Sequence, residues 1–139
     1  MVQLIVGNKG KGKTKHLLDK VNSQITSANG NIVYLDKSTK HMYELNNKVR
    51  LIDVSDYLIT NADEFLGFVC GIISQDHDLE AMYLDSFLKI ACVDSADLER
   101  VLNKIDAISK AFKVDFTLSI GVEESDIPAS MKEQIIVSL

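Results

Sequence analysis

Residues 7–14 of this 139-residue chain read Gly7-Asn8-Lys9-Gly10-Lys11-Gly12-Lys13-Thr14. They fit G-x-x-x-x-G-K-[ST], a pattern that has physical meaning only between a strand and a helix. Both flanks fit. Val2, Leu4, Ile5 and Val6 make a short apolar strand ending at Gly7, and after Thr14 the residues Leu17, Leu18, Val21 and Ile25 recur at helical spacing. A strand that passes through a tight glycine turn into a helix is the opening of a βα unit. Such units return the chain to a parallel neighbouring strand, so the expected fold class is α/β.

The residue types predict chemistry as well as shape. Glycines let the backbone turn tightly and aim several N–H groups inward, and the helix N-terminus adds partial positive charge at the same place. That combination suits phosphate. Gly7 through Thr14 form the expected phosphate-binding segment, the Walker A loop. Lys13 is expected on the β- and γ-phosphates, and the Thr14 hydroxyl on Mg²⁺. Lys9, Lys11 and Lys15 read as solvated charges that raise the local potential rather than as specific ligands.

Length bounds the rest. The whole chain, residues 1–139, reads as a single domain with little length left for a lid or a separate substrate domain. Net charge is −5, the only arginines are Arg50 and Arg100, and several lysines fall within residues 9–20. This argues against nucleic acid as the main partner, while a protein partner or a homo-oligomer stays open. Cys70 and Cys92 lie in apolar runs, which predicts buried free thiols in a reducing cytoplasm. The chain enters a strand at once and has no apolar run of membrane-spanning length, so neither a leader nor a membrane anchor is expected.

Strands and helices alternate along the chain. Expected strands are Val2–Val6, Ile32–Leu35, Val49–Val54, Glu80–Leu84, Val114–Ile120 and Ile135–Leu139. Helices are expected from about Lys13 to Ala28, from Ala62 to about Ser74 behind an Asn61 cap, and from Asp94 or Ser95 to about Phe112. Short helices are expected at Ser38–Asn46 and after Pro128, and a short helix or an ordered loop at Ser86–Val93. This order predicts a three-layer sandwich around a mostly parallel sheet, with ligands at the carboxyl ends of the strands. The Walker A loop sits at one such end, as do Asp36, Asp53, Asp85 and Ser119.

A Walker B element is an apolar strand ending in an Asp that serves Mg²⁺. Ala81-Met82-Tyr83-Leu84-Asp85 fits best; Ile32–Asp36 and Leu51–Asp53 also qualify, with turn or cap chemistry as their alternative role. Ser119 is a candidate sensor of the γ-phosphate, or a strand-end turn residue. The histidines make no metal pattern, and the tyrosines form no stacking platform.

On Gly7–Thr14 and Ala81–Ser86, the chain resembles the RecA-like branch of P-loop NTPases, in the form of a small, bacterial-type, stand-alone ATP-binding protein. The order of elements is similar over most of the chain. The resemblance implies that branch's strand order, 5-1-4-3-2 in its own numbering, with the Walker B strand not adjacent to the P-loop strand; in this chain strand 5 is expected between strands 1 and 4. It also implies ATP and Mg²⁺ as cofactors.

The chain departs from that branch in its catalytic groups. Hydrolytic members place a Glu right after the Walker B Asp or shortly after the second strand. Those places hold Ser86 and Lys37-Ser38. Glu123 and Glu124 follow strand 5 by a few residues, and arginine is scarce. The expected function is therefore Mg-dependent ATP binding with weak or partner-dependent hydrolysis. A non-catalytic nucleotide sensor is the alternative, and a small-molecule kinase is a less favoured one.

Overall fold

Near-continuous apolar strands form the centre of the computed structural model, which describes residues 1–139. The strands are β1 (Val2–Val6), β2 (Asn31–Asp36), β3 (Arg50–Asp53), β4 (Leu79–Leu84), β5 (Asp115–Ile120) and β6 (Ile135–Ser138). The helices are α1 (Lys13–Ile25), α2 (Ala62–Ser74), α3 (Phe87–Ile90) and α4 (Leu98–Phe112). All pairings are parallel, in the order β3-β2-β4-β5-β1-β6.

Each central strand divides its side chains between two cores. Leu4 and Val6 of β1, Val33 and Leu35 of β2, and Met82 and Leu84 of β4 join Phe65 and Val69 of α2 and Leu102 and Ile105 of α4. On the opposite face, Ile5, Ile32, Tyr34, Ala81 and Tyr83 pack against Leu17, Leu18, Val21 and Ile25 of α1. A sheet buried on both faces needs apolar residues at consecutive positions, which is how these strands read.

The strand order 5-1-4-3-2 is not the one found. β1 pairs with β5 and β6, so β4 is not adjacent to it, as expected, but β4 pairs with β2, not β3. β5 does lie between β1 and β4. The physical reason for the outer order is burial. Five of the six residues of β2 are buried, whereas no residue of the short β3 is. The less buried, shorter strand takes the edge, and the apolar one takes the interior.

Several boundaries also move. α1 stops at Ile25 rather than near Ala28, where the Thr26 hydroxyl donates to the Ser23 carbonyl at 2.7 Å. The turn that follows brings Gly30 so close to Asp78 that a Cβ there would lie 2.2 Å from the Asp78 carbonyl oxygen. The segment expected as a helix at Ser38–Asn46 keeps only a 3-10 turn at Met42–Glu44. Asn22 of α1 clamps it, donating to the Glu44 carbonyl at 2.8 Å and accepting from the Asn46 N–H at 2.8 Å. α4 opens at Leu98, because Asp94 accepts from the Asp97 N–H at 3.0 Å and closes a separate turn first. The Asn61 cap is present, accepting from the Glu64 N–H at 2.8 Å. The thiols are free, but Cys92 is exposed and Cys70 only partly buried, contrary to their apolar sequence surroundings. No helix is long and apolar enough to cross a membrane.

Candidate functional site

Because every strand runs the same way, the ends of β1, β2, β4 and β5 open on one edge of the sheet. The loop after β1 is held from below: the Gly7 N–H donates to the Val122 carbonyl at 2.8 Å. Gly10 and Gly12 have φ of 85° and 91°, a left-handed backbone that side chains resist. Both have open space where a Cβ would go, so backbone conformation alone explains these glycines. Gly12 precedes α1 directly. No side chain caps that helix start and no acidic residue stands in its first turn. Its N–H groups and the positive end of its dipole are left for an external acceptor.

Lys13 curls back over the loop, its Nζ donating to the Asn8 carbonyl at 3.1 Å. Burial pulls its pKa below the ordinary value, and Asp85 pulls the other way. The next residue makes the central contact. Thr14 Oγ1 donates to Asp85 Oδ1 at 3.2 Å. Asp85 is 2% exposed. It also accepts from Ser119 Oγ at 2.7 Å and, through Oδ2, from the Tyr34 phenol at 2.8 Å. Ser119 in turn accepts from the Ser86 N–H at 2.9 Å. Burial first, and then the charge of Asp85, push the Tyr34 phenol far above its usual pKa, so it stays a donor.

Asp36, at the end of the neighbouring strand, is equally buried at 2% exposure. Its Oδ1 accepts from the Lys37 N–H at 2.7 Å, while Oδ2 has no partner at all. Its carboxyl pKa is raised, chiefly by burial and next by Asp85. Asp53 behaves differently. It accepts from the N–H and hydroxyl of Ser55 at 3.0 and 2.6 Å, which is turn chemistry.

Asp36, Asp85 and Ser119 line a cleft of about 560 Å³, which Tyr34 and Asp53 do not reach. Lys9, Gly10, Gly12, Lys13 and Thr14 form one wall, and Asp85 and Ser119 lie on its floor. Gly7, Asn8 and Lys11 are not on its surface, although Asn8 supports Lys13 from behind and donates to Glu123 at 3.0 Å. Glu123 and Glu124 are away from the cleft; Glu124 accepts from the Ser138 hydroxyl at 3.0 Å.

Three features escape sequence reading. Tyr34 sits in an apolar strand where only its buried hydroxyl signals that a partner is needed. Asp36 is an acid at a strand end like two others, and nothing local sets it apart. Lys37, Lys40, His41 and Lys89 also reach the cleft, from the segments after β2 and β4. Only the sheet order brings those two segments side by side.

The residues fit a Mg–triphosphate group. Nowhere do three or more His, Cys, Asp or Glu side chains gather as a metal cage. Mg²⁺ suits such a site, since it is held by one or two protein oxygens and completes its shell with phosphate and water. Thr14 and Asp85 supply adjacent hard oxygens. Oδ2 of Asp36, in the same cleft, has no hydrogen-bond partner among the protein's own groups.

No protein-family model matches this chain, and no curated protein matches it.

Proposed function

We propose that this protein binds a nucleoside triphosphate, ATP being the expected one, together with Mg²⁺, and that the isolated chain hydrolyses it slowly. The observation that carries this reading is the Thr14–Asp85 contact at 3.2 Å, made at the mouth of an uncapped helix and a glycine loop. Bound there, Mg²⁺ would neutralise charge on the phosphate oxygens. The chain's own residues bind and orient. The loop N–H groups and Lys13 would hold the phosphates, Thr14 and Asp85 would hold the metal, and the hydrogen bonds from Tyr34 and Ser119 keep Asp85 aimed. Ser119, which lines the cleft, donates its hydroxyl to Asp85 and so positions that carboxylate.

A nucleotide-sensing reading has its own support. The glycine loop shares hydrogen bonds with the segment after β5, through Gly7–Val122 and Asn8–Glu123, so a change in loop geometry would be felt there. Calorimetry with Mg·ATP tests the common core of both. Lys13→Ala should lose about 2 kcal/mol or more of binding free energy, the value of a charge-assisted contact. Equal affinity for both forms would remove the proposal.

A further inference from the structure

The cleft runs from the glycine loop to the segment after β2. From the end of β1 to the end of β2 there are three strand intervals, since β5 and β4 lie between. At about 4.8 Å each this is roughly 14 Å. The far end has its own chemistry. Asp36 lies on its floor, 2% exposed, with Oδ2 lacking any partner. Leaving a buried carboxylate oxygen unpaired is costly, so a donor is expected to meet it. Lys37, whose charge Asp36 feels, and Lys40 line the same cleft after β2, and Lys89 lines it after β4. None of these three lysines is in an ion pair, in a chain whose net charge is −5. Free cations around one buried acceptor describe a ligand that is anionic yet carries a hydrogen to donate.

We propose that the β2–β4 end of the cleft is a second binding subsite, filled beside the nucleotide by a small anion bearing a hydroxyl group. The lysines hold its negative oxygens and Asp36 Oδ2 accepts its O–H. A hydroxylated carboxylate, a phosphate ester with a free hydroxyl and hydrogen phosphate itself share this chemistry. A fully deprotonated oxyanion lacks the donor and would face Asp36 with repulsion alone. The subsite rests on the nucleotide-binding reading, because it is defined as the space that remains when the glycine loop is occupied.

Inorganic phosphate and sulfate are the probes, because both are small oxyanions and only phosphate keeps an O–H near neutral pH. The full chain is first titrated with a non-hydrolysable Mg·ATP analogue and then, once saturated, with each anion. Phosphate should bind roughly tenfold tighter than sulfate, the size of one hydrogen bond to a charged group. Asp36→Asn should bring the two anions within about twofold, because the acceptor charge that discriminates between them is gone. A Lys37→Ala/Lys89→Ala double variant should weaken phosphate by several-fold. Equal binding of the two anions, or phosphate binding only to the nucleotide-free chain, overturns the subsite and leaves the nucleotide reading standing. Failure of the analogue to bind in the first titration removes the nucleotide reading and the subsite with it. Loss of analogue binding in Asp36→Asn would place Asp36 in the metal site and likewise overturn the subsite.

Discussion

The hydroxyl of Thr14 lies 3.2 Å from Oδ1 of Asp85, across 71 residues of sequence. One group opens α1 and the other closes β4, and the two strands leading to them are separated by β5. Helix α1 leans across that gap on Leu17, Leu18 and Val21, which pack on the face of the sheet that holds Tyr34 and Tyr83. The contact is thus a product of core packing, and its chemistry can be tested separately from the fold.

Asp85→Ala should weaken Mg²⁺-dependent nucleotide binding and leave metal-free binding nearly intact. The carboxylate is the only group with Thr14 at hydrogen-bond distance among the strand-end acids. Titrations with and without Mg²⁺ separate the two effects. If Asp36→Ala abolished the metal dependence and Asp85→Ala did not, the metal would belong to the adjacent strand.

Tyr34→Phe should destabilise the fold by about 1–2 kcal/mol, measured by urea unfolding. The phenol is fully buried and donates to a buried carboxylate at 2.8 Å. Removing one partner leaves the other short of a hydrogen bond, which is the expensive case. The stacked arrangement with Tyr83, ring centroids 6.3 Å apart, should persist because the ring remains. An unchanged unfolding midpoint would mean that water replaces the phenol without cost.

Gly30→Ala should destabilise by about 1–3 kcal/mol, the range for overpacking a tight site. The added Cβ would meet backbone, the Asp78 carbonyl oxygen at 2.2 Å, and backbone there cannot swing aside as a flexible side chain would. Gly30 is remote from the cleft, so nucleotide affinity of the folded variant should not change. A wild-type melting temperature would show that the turn before β2 relaxes freely.

Asp36 makes stability depend on pH in a stated direction. Its folded pKa is above the ordinary 3.8, so the folded state binds a proton more readily than the unfolded chain. Stability from this group is present below the unfolded pKa and declines as pH rises through the folded one. Asp36→Asn removes the buried charge and should raise the melting temperature near pH 7, with the gain shrinking as pH falls toward 4. Functional sites often carry such a cost. A variant less stable than wild type at neutral pH, with the same deficit in acid, would assign Asp36 a structural role.

What could be read from the sequence divides by distance along the chain. The glycine loop, its strand and its helix are contiguous, so local pattern suffices. Asn61 and Glu64 are likewise close enough to show their cap. Asp85 is favoured among three strand-end acids by the resemblance of Ala81–Ser86 to a Walker B region, since the strand before Asp36 is just as apolar. Sheet order was legible only in part, since periodicity says which strands are buried and not which neighbours they choose. The cleft's second wall follows from that order, which is why Lys37, Lys40 and Lys89 carry no signal when read singly. Cys92 was misjudged because its neighbours Ala91 and Val93 are buried while its own backbone, with φ of 54°, turns it outward.

Hydrolysis by the isolated chain should be slow. Binding and catalysis separate here. The loop and Lys13 favour bound triphosphate in the ground state as well as the transition state, whereas a base and a cationic finger act mainly on the latter. Ser86, not an acid, follows Asp85, and its N–H is spent on Ser119. Glu123 and Glu124 are engaged with Asn8 and Ser138 and lie outside the cleft. Arg100 is tied to Asp63 and Asp97 on the outside of α4, and Arg50 to Asp76 at the sheet's far edge. An arginine finger alone is typically worth about 10³–10⁵ in rate, so turnover should stay well below about 1 s⁻¹. Phosphate release from the purified chain measures it, with Lys13→Ala as the blank. Turnover of several per second that vanishes in Lys13→Ala would require a water-activating group, and Asp36, with the one partnerless carboxylate oxygen in the cleft, would be the residue to change first.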